Sequence, residues 1–188
     1  IEAQSKPVWI LQHIPPTLDT YKTYKHWKSG DTNYAASGWE DEFVTAFNQA
    51  VAEYRDTVKG IFCGHFHQRG WGMANDPATS NVTVGIQIMN GLLFNHGNNS
   101  GFTVMTYDRE TLEPLREYSY NLDYSENFGK TNAVYWSERY SENEGYGIAS
   151  LMGSNLLDAC SSMSNTTSVG YEYYRAEYNG GRQPYGID

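Results

Sequence analysis

Two histidines one residue apart, in Gly64-His65-Phe66-His67, follow the apolar run Gly60-Ile61-Phe62-Cys63 and precede the polar Gln68-Arg69-Gly70. Alternate side chains share one side of an extended chain. A strand ending in Gly-His-x-His therefore presents two neutral imidazoles of the kind that bind zinc, iron or manganese. The carboxyl ends of strands are where open α/β sheets place their sites. A surface pair that holds no metal is the plainer alternative, because short motifs often arise by chance. A third histidine has a similar setting. Val8-Trp9-Ile10-Leu11-Gln12 is a continuous apolar run, read as a buried parallel strand, and it leads straight into His13-Ile14-Pro15-Pro16. The two prolines prevent further sheet or helix. Three of the five histidines thus stand at strand ends.

The elements that must position these side chains can be read from the same sequence. Thr17 to about Ser37 reads as one long loop whose Tyr21, Tyr24, His26, Trp27 and Tyr34 form an aromatic wall beside the site or pack the loop onto the body. Ser37 and Glu40 have the spacing of a capping box, and acidic Glu40, Asp41 and Glu42 suit the positive end of a helix. Trp39, Phe43, Phe47, Ala50, Val51 and Tyr54 follow at helical spacing. Strand, helix and strand form a βαβ unit, whose right-handed crossover brings both carboxyl ends to one side, so His13, His65 and His67 are expected to converge.

Beyond a turn-rich stretch from Trp71 to Ser80, three β-branched or alternating segments read as strands: Val82 to Ile88, Phe102 to Tyr107 and Leu115 to Tyr120. Asn95 and His96 lie in the polar loop from Asn90 to Gly101 and are candidates to contact a substrate. From about Asn121 the composition turns aromatic and polar. Val134, Tyr135, Trp136 and Tyr140, then Ile148, Leu151, Met152, Leu156 and Leu157, read as two helices. The expected architecture is α/β with an α+β tail: residues 1–120 as the body and residues 121–188 as a small, tyrosine-rich helical subdomain. No internal repeat is visible.

Composition narrows the function. With 188 residues, 39% of them hydrophobic, the chain can bury a core. A net charge of −9, from 13 basic and 22 acidic residues, argues against nucleic acid as a partner. No apolar run approaches the ~20 residues that span a bilayer. Two cysteines build no disulfide framework, and Cys63 reads as a buried free thiol. The sequons at Asn81, Asn98 and Asn165 are candidate glycosylation sites, about as many as composition predicts by chance. The opening Ile1-Glu2-Ala3-Gln4-Ser5-Lys6-Pro7 lacks the apolar core of a signal peptide, so preceding chain is expected.

His13-Ile14-Pro15-Pro16 and Gly64-His65-Phe66-His67, separated by one helix, resemble the last two metal-binding motifs of the calcineurin-like metallophosphoesterases. Asn99-Ser100-Gly101-Phe102-Thr103-Val104, Trp136-Ser137-Glu138-Arg139-Tyr140 and Tyr146-Gly147-Ile148 bring the resemblance closer to the acid sphingomyelinase-like phosphodiesterases. The resemblance implies a two-metal site, usually zinc, that hydrolyses phosphate esters with a metal-activated water. His13 and His65 would bind one ion and His67 the other. The family's earlier Asp-x-His, Gly-Asp-x-x-Asp and Gly-Asn-His motifs do not occur here. The chain is therefore expected to be the carboxyl-terminal half of a four-layer sandwich, with no catalytic acid or base of its own. Its partner would be the amino-terminal half, covalently joined or cleaved, and its substrate a phosphate ester such as sphingomyelin or a nucleotide. A secreted or lysosomal location accords with this resemblance. A phosphoesterase fold kept as a non-catalytic structural or interaction module is the competing expectation.

Overall fold

The computed structural model describes residues 6–31, 33–93, 98–123 and 136–163. Strand β1 (Val8–Leu11) is followed by helices α1 (Thr20–Lys28) and α2 (Asp41–Glu53) and strand β2 (Val58–Cys63). Strands β3 (Gly70–Asn75), β4 (Val82–Ile88), β5 (Ser100–Tyr107), β6 (Pro114–Leu122) and β7 (Trp136–Tyr140) come next, then helices α3 (Glu142–Tyr146) and α4 (Gly153–Met163). The first sheet has the order β1-β2-β4-β3, with β1 parallel to β2, β2 parallel to β4, and β3 antiparallel to β4. The second sheet is antiparallel, in the order β5-β6-β7.

Period-two alternation along β2 sends its side chains to opposite faces. Ile61 and Cys63 join Val84, Ile86, Val58, Ala74 and Val51 in a core under α2, with Ile10 and Phe47 packed against it. Phe62 faces the other way and meets the edge of Trp9 at 5.3 Å between ring centroids. Trp9 then bridges to the second sheet: its ring meets Tyr107 at 4.9 Å, and its Nε1 donates to the Leu112 carbonyl at 2.7 Å. Gly85 lies on the same face, and a Cβ there would sit 2.7 Å from the Leu151 carbonyl oxygen, so α4 approaches β4 closely because this residue has no side chain. The described residues thus form three layers: α2, the first sheet, and the second sheet with α4. The fourth layer of the expected sandwich is not among them.

The parallel βαβ pairing and the strands at 82–88, 100–107 and 114–122 follow the expected pattern, while several local readings need correction. The loop from Thr17 to Ser37 contains α1, capped by Asp19, whose carboxylate accepts from Lys22 N at 2.9 Å. The side chains of Lys25, His26 and Lys28 complement the helix dipole in its last turn. The capping box at α2 does not form: Glu40 is the N-cap and makes no side-chain cap bond, and the Ser37 hydroxyl accepts from Trp39 N instead. The supposedly turn-rich stretch begins with β3, whose Gly70, Trp71 and Gly72 pair with Ile88, Gln87 and Ile86. Pairing with a neighbour, rather than intrinsic propensity, makes this glycine-rich segment a strand. Trp136–Tyr140 is likewise a strand on β6, not a helix. Together with α4, which packs on β4 and β3, it builds the described part of 121–188 into the body. β1, expected to be buried, is an edge strand with Leu11 76% exposed.

Candidate metal centre

The strands β1 and β2 run side by side in the same direction, so their carboxyl ends meet. Gln12 N donates to the Phe62 carbonyl at 3.0 Å, and Gly64 N donates to the His13 carbonyl at 2.9 Å. These two bonds extend the pairing past the strand ends and bring the side chains of His13 and His65 together. His13 Nε2 and His65 Nδ1 lie 3.3 Å apart, with rings inclined at 75°. Two nitrogens bound to one tetrahedral zinc at ~2.0–2.1 Å stand about 3.3–3.4 Å from each other. The pair therefore has the spacing of one edge of a zinc coordination shell. Without metal, the same distance allows a hydrogen bond between neutral imidazoles, the tautomers deciding which donates.

The turn that carries His65 and His67 differs from the extended chain expected of Gly-His-x-His. His65 has φ 74° and His67 φ 57°, both in the left-handed region that costs a residue with a Cβ roughly 1–2 kcal/mol. Phe66 N donates to the Gly64 carbonyl at 2.9 Å, so His65 is the centre of a three-residue turn of the rare γ type. The relation between the imidazoles is thus set by backbone strain and by neighbours that hold it, not by strand alternation. Non-glycine residues in such conformations concentrate at functional sites.

His67 sits against Gly91, where a Cβ would lie 3.1 Å from the His67 Cα. Its carbonyl accepts from Asn98 Nδ2 at 3.0 Å, and its Nδ1 is buried with no hydrogen-bond partner among the described residues. A buried, unsatisfied imidazole nitrogen is costly unless something binds it, so this atom fits a ligand role. The residues present therefore fit a divalent ion at two places: the His13–His65 pair and the His67 nitrogen. The expectation that three histidines form one cluster is corrected in part. Among the described residues, no group of three or more His, Cys, Asp or Glu side chains gathers around a common point.

Cys63 is buried beside this edge, and its Sγ accepts from Gln12 Nε2 at 3.6 Å. Burial pushes its pKa up to about 11, which keeps it a neutral thiol in the metal-free chain. A cleft of about 510 Å³ opens next to the turn, its lining including Phe66, Gln68, Trp71, Thr17, Asp41 and Asn48. Asn95, His96 and Asn165 lie outside the described residues. Asn81 is exposed. Asn98 is fully buried, with its amide donating to the His67 carbonyl. The importance of Asn98, and of Arg69 two residues beyond His67, was not legible from sequence, because each acts through a partner distant along the chain.

No family model matches the chain. It is 22% identical over 174 residues to sphingomyelin phosphodiesterase A of Dictyostelium discoideum, a match over 92% of this chain and 27% of that protein. It is 25% identical to sphingomyelinase phosphodiesterase D of the same organism, over 90% of this chain and 37% of the relative. It is 24% identical to human acid sphingomyelinase-like phosphodiesterase 3b, over 93% of this chain and 38% of the relative. The chain therefore spans well under half the length of the curated relatives it matches. Over nearly its whole length, this chain is similar to a part of the acid sphingomyelinase-like phosphodiesterases.

Proposed function

We propose that the chain contributes three imidazole ligands, His13, His65 and His67, to a centre of two divalent ions, most simply zinc, that hydrolyses phosphodiesters. The observation that carries this reading is the 3.3 Å approach of His13 Nε2 and His65 Nδ1 at the shared carboxyl edge of two parallel strands. The relatives' names supply the reaction class, and sphingomyelin is the substrate those names suggest. When bound, such ions polarise phosphoryl oxygens and make water nucleophilic near neutral pH. His13 and His65 hold neutral nitrogens toward one point, which preserves the positive charge that attracts a phosphate. His67 offers its nitrogen to the second ion from a turn pinned by Asn98. In this reading, Asn95 and His96 contact the substrate, and the cleft beside Phe66, within the size range of small-molecule sites, admits part of it.

The bridging and leaving-group residues then come from the amino-terminal half of the protein, whether covalently joined or cleaved and still associated. A secreted or lysosomal enzyme follows from this reading, and no helix among the described residues is long and apolar enough to cross a membrane. The test is elemental analysis of the protein with that half present. About two divalent ions are expected, with His65→Ala and His67→Ala each losing about one. The competing reading is a phosphoesterase fold kept as a non-catalytic structural or interaction module. A parent protein with that half present that binds no metal and turns over no phosphodiester would support that second reading, and parental metal content and turnover in both variants would overturn the ligand assignment.

A further inference from the structure

The turn between β2 and β3 holds two strained residues in six, and such conformations persist only when the surroundings over-determine them. Its near end is fixed by the Gly64 N bond to the His13 carbonyl, and its middle by Asn98 on the His67 carbonyl. Its far end is fixed by Arg69, whose Nε donates to Glu117 Oε1 at 2.5 Å. The side chains are 1% and 2% exposed. Glu117 belongs to β6 of the second sheet, and its own N–H donates to Asn143 Oδ1 at 3.2 Å. Asn143 Nδ2 in turn donates to the Leu115 carbonyl at 2.8 Å and the Ile148 carbonyl at 3.3 Å. A continuous chain of directed bonds therefore runs from the histidine turn through the second sheet to the segment around α3.

Fold stability alone does not account for a charged pair here, since well-packed apolar residues of similar volume are commonly as stabilising as a buried ion pair. What a guanidinium–carboxylate contact adds is direction and fixed distance. We infer that the buried Arg69–Glu117 pair is a positioning device for the metal centre: it anchors the turn to the second sheet and so sets where the imidazoles of His65 and His67 point. This rests on the metal-centre reading above.

The test compares the parent protein, with its amino-terminal half present, with the apolar double variant R69M/E117L and with E117Q in the same form. Three quantities are read: the urea unfolding midpoint, zinc affinity by competition with a chromogenic chelator, and hydrogen exchange at the amides from Gly64 to Arg69. A positioning role predicts a double variant that folds with a midpoint near the parent's, binds zinc about tenfold or more weakly, and exchanges the turn amides about tenfold faster. E117Q, which keeps the acceptor but loses the charge, should fall between. Parental zinc affinity and exchange in the double variant would overturn the inference while leaving the metal centre intact. If the parent itself binds no zinc, the metal-centre reading falls, and the exchange rates alone decide whether the pair holds the turn. If the double variant does not fold, E117Q decides by the same two readouts.

Discussion

Histidine side chains two apart are neighbours for a geometric reason only where the backbone is extended, and at His65 and His67 it is left-handed. The close pair is instead His13 with His65, which follow the ends of different strands. The adjacent thiol has the opposite character. Cys63 is buried and its pKa is pushed up to about 11, whereas Cys160 is exposed. Thiol reagents require both access and thiolate. At pH 8, one equivalent of label should enter the folded chain at Cys160, and Cys63 should react only at the rate of unfolding. Mass mapping after short exposure checks this, and prompt modification of Cys63 would show that the edge of β2 is open.

At the scale of elements, two contacts make separable predictions. The turn joining β3 to β4 is held by Asp76, whose carboxylate accepts from Ala78 N at 2.9 Å and from the Thr79 hydroxyl at 2.8 Å. These bonds, the Ala78 amide foremost, lower the Asp76 pKa from its ordinary value. A depressed carboxylate pKa contributes stability above the unfolded-state value, and that contribution is lost as pH falls through the folded one. Asp76→Ala should therefore lower the unfolding midpoint at pH 7, and the difference from the parent should vanish at pH values below the ordinary carboxylate range, as thermal melts across pH would show. The seat of α4 on β4 depends on Gly85, where a Cβ would lie 2.8 Å from Leu156 Cδ1 as well as against the Leu151 carbonyl. Overpacking of this kind costs about 1–3 kcal/mol, so Gly85→Ala should shift urea denaturation by that amount. Gly30, with open space around its Cβ position but φ 99°, is disfavoured for any side chain by conformation instead.

At the scale of the molecule, the first sheet ends on one side at β1, whose Val8 and Leu11 are 42% and 76% exposed, and Phe43 of α2 is 57% exposed. Unpaired edges and exposed apolar residues favour association. The chain spans 27% to 38% of the length of its relatives. These 188 residues alone should therefore bind a hydrophobic dye and turn over no phosphodiester, and addition of the amino-terminal half should suppress dye binding and restore hydrolysis with zinc. A chromogenic diester assayed on both preparations decides the matter. Full activity in the isolated chain would show a site complete without further ligands.

Local physics accounts for the features that were legible along the chain. The apolar runs at 8–12 and 60–63, the amphipathic helix after Ser37, and strands within 82–88, 102–107 and 115–120 follow from side-chain period, and parallel pairing of β1 with β2 follows from the helical crossover between them. The motifs around His13 and His65 were legible for the same reason, because each is contiguous. Tertiary structure decided the rest. Gly70–Asn75 and Trp136–Tyr140 became strands because partners offered them open backbone groups. His65 and His67 took left-handed conformations because Gly91 leaves room and Asn98 and Arg69 hold the turn from outside it. Residues whose role lies in a contact 31 or 48 positions away leave no periodic trace, and only the packed molecule brings them to the site.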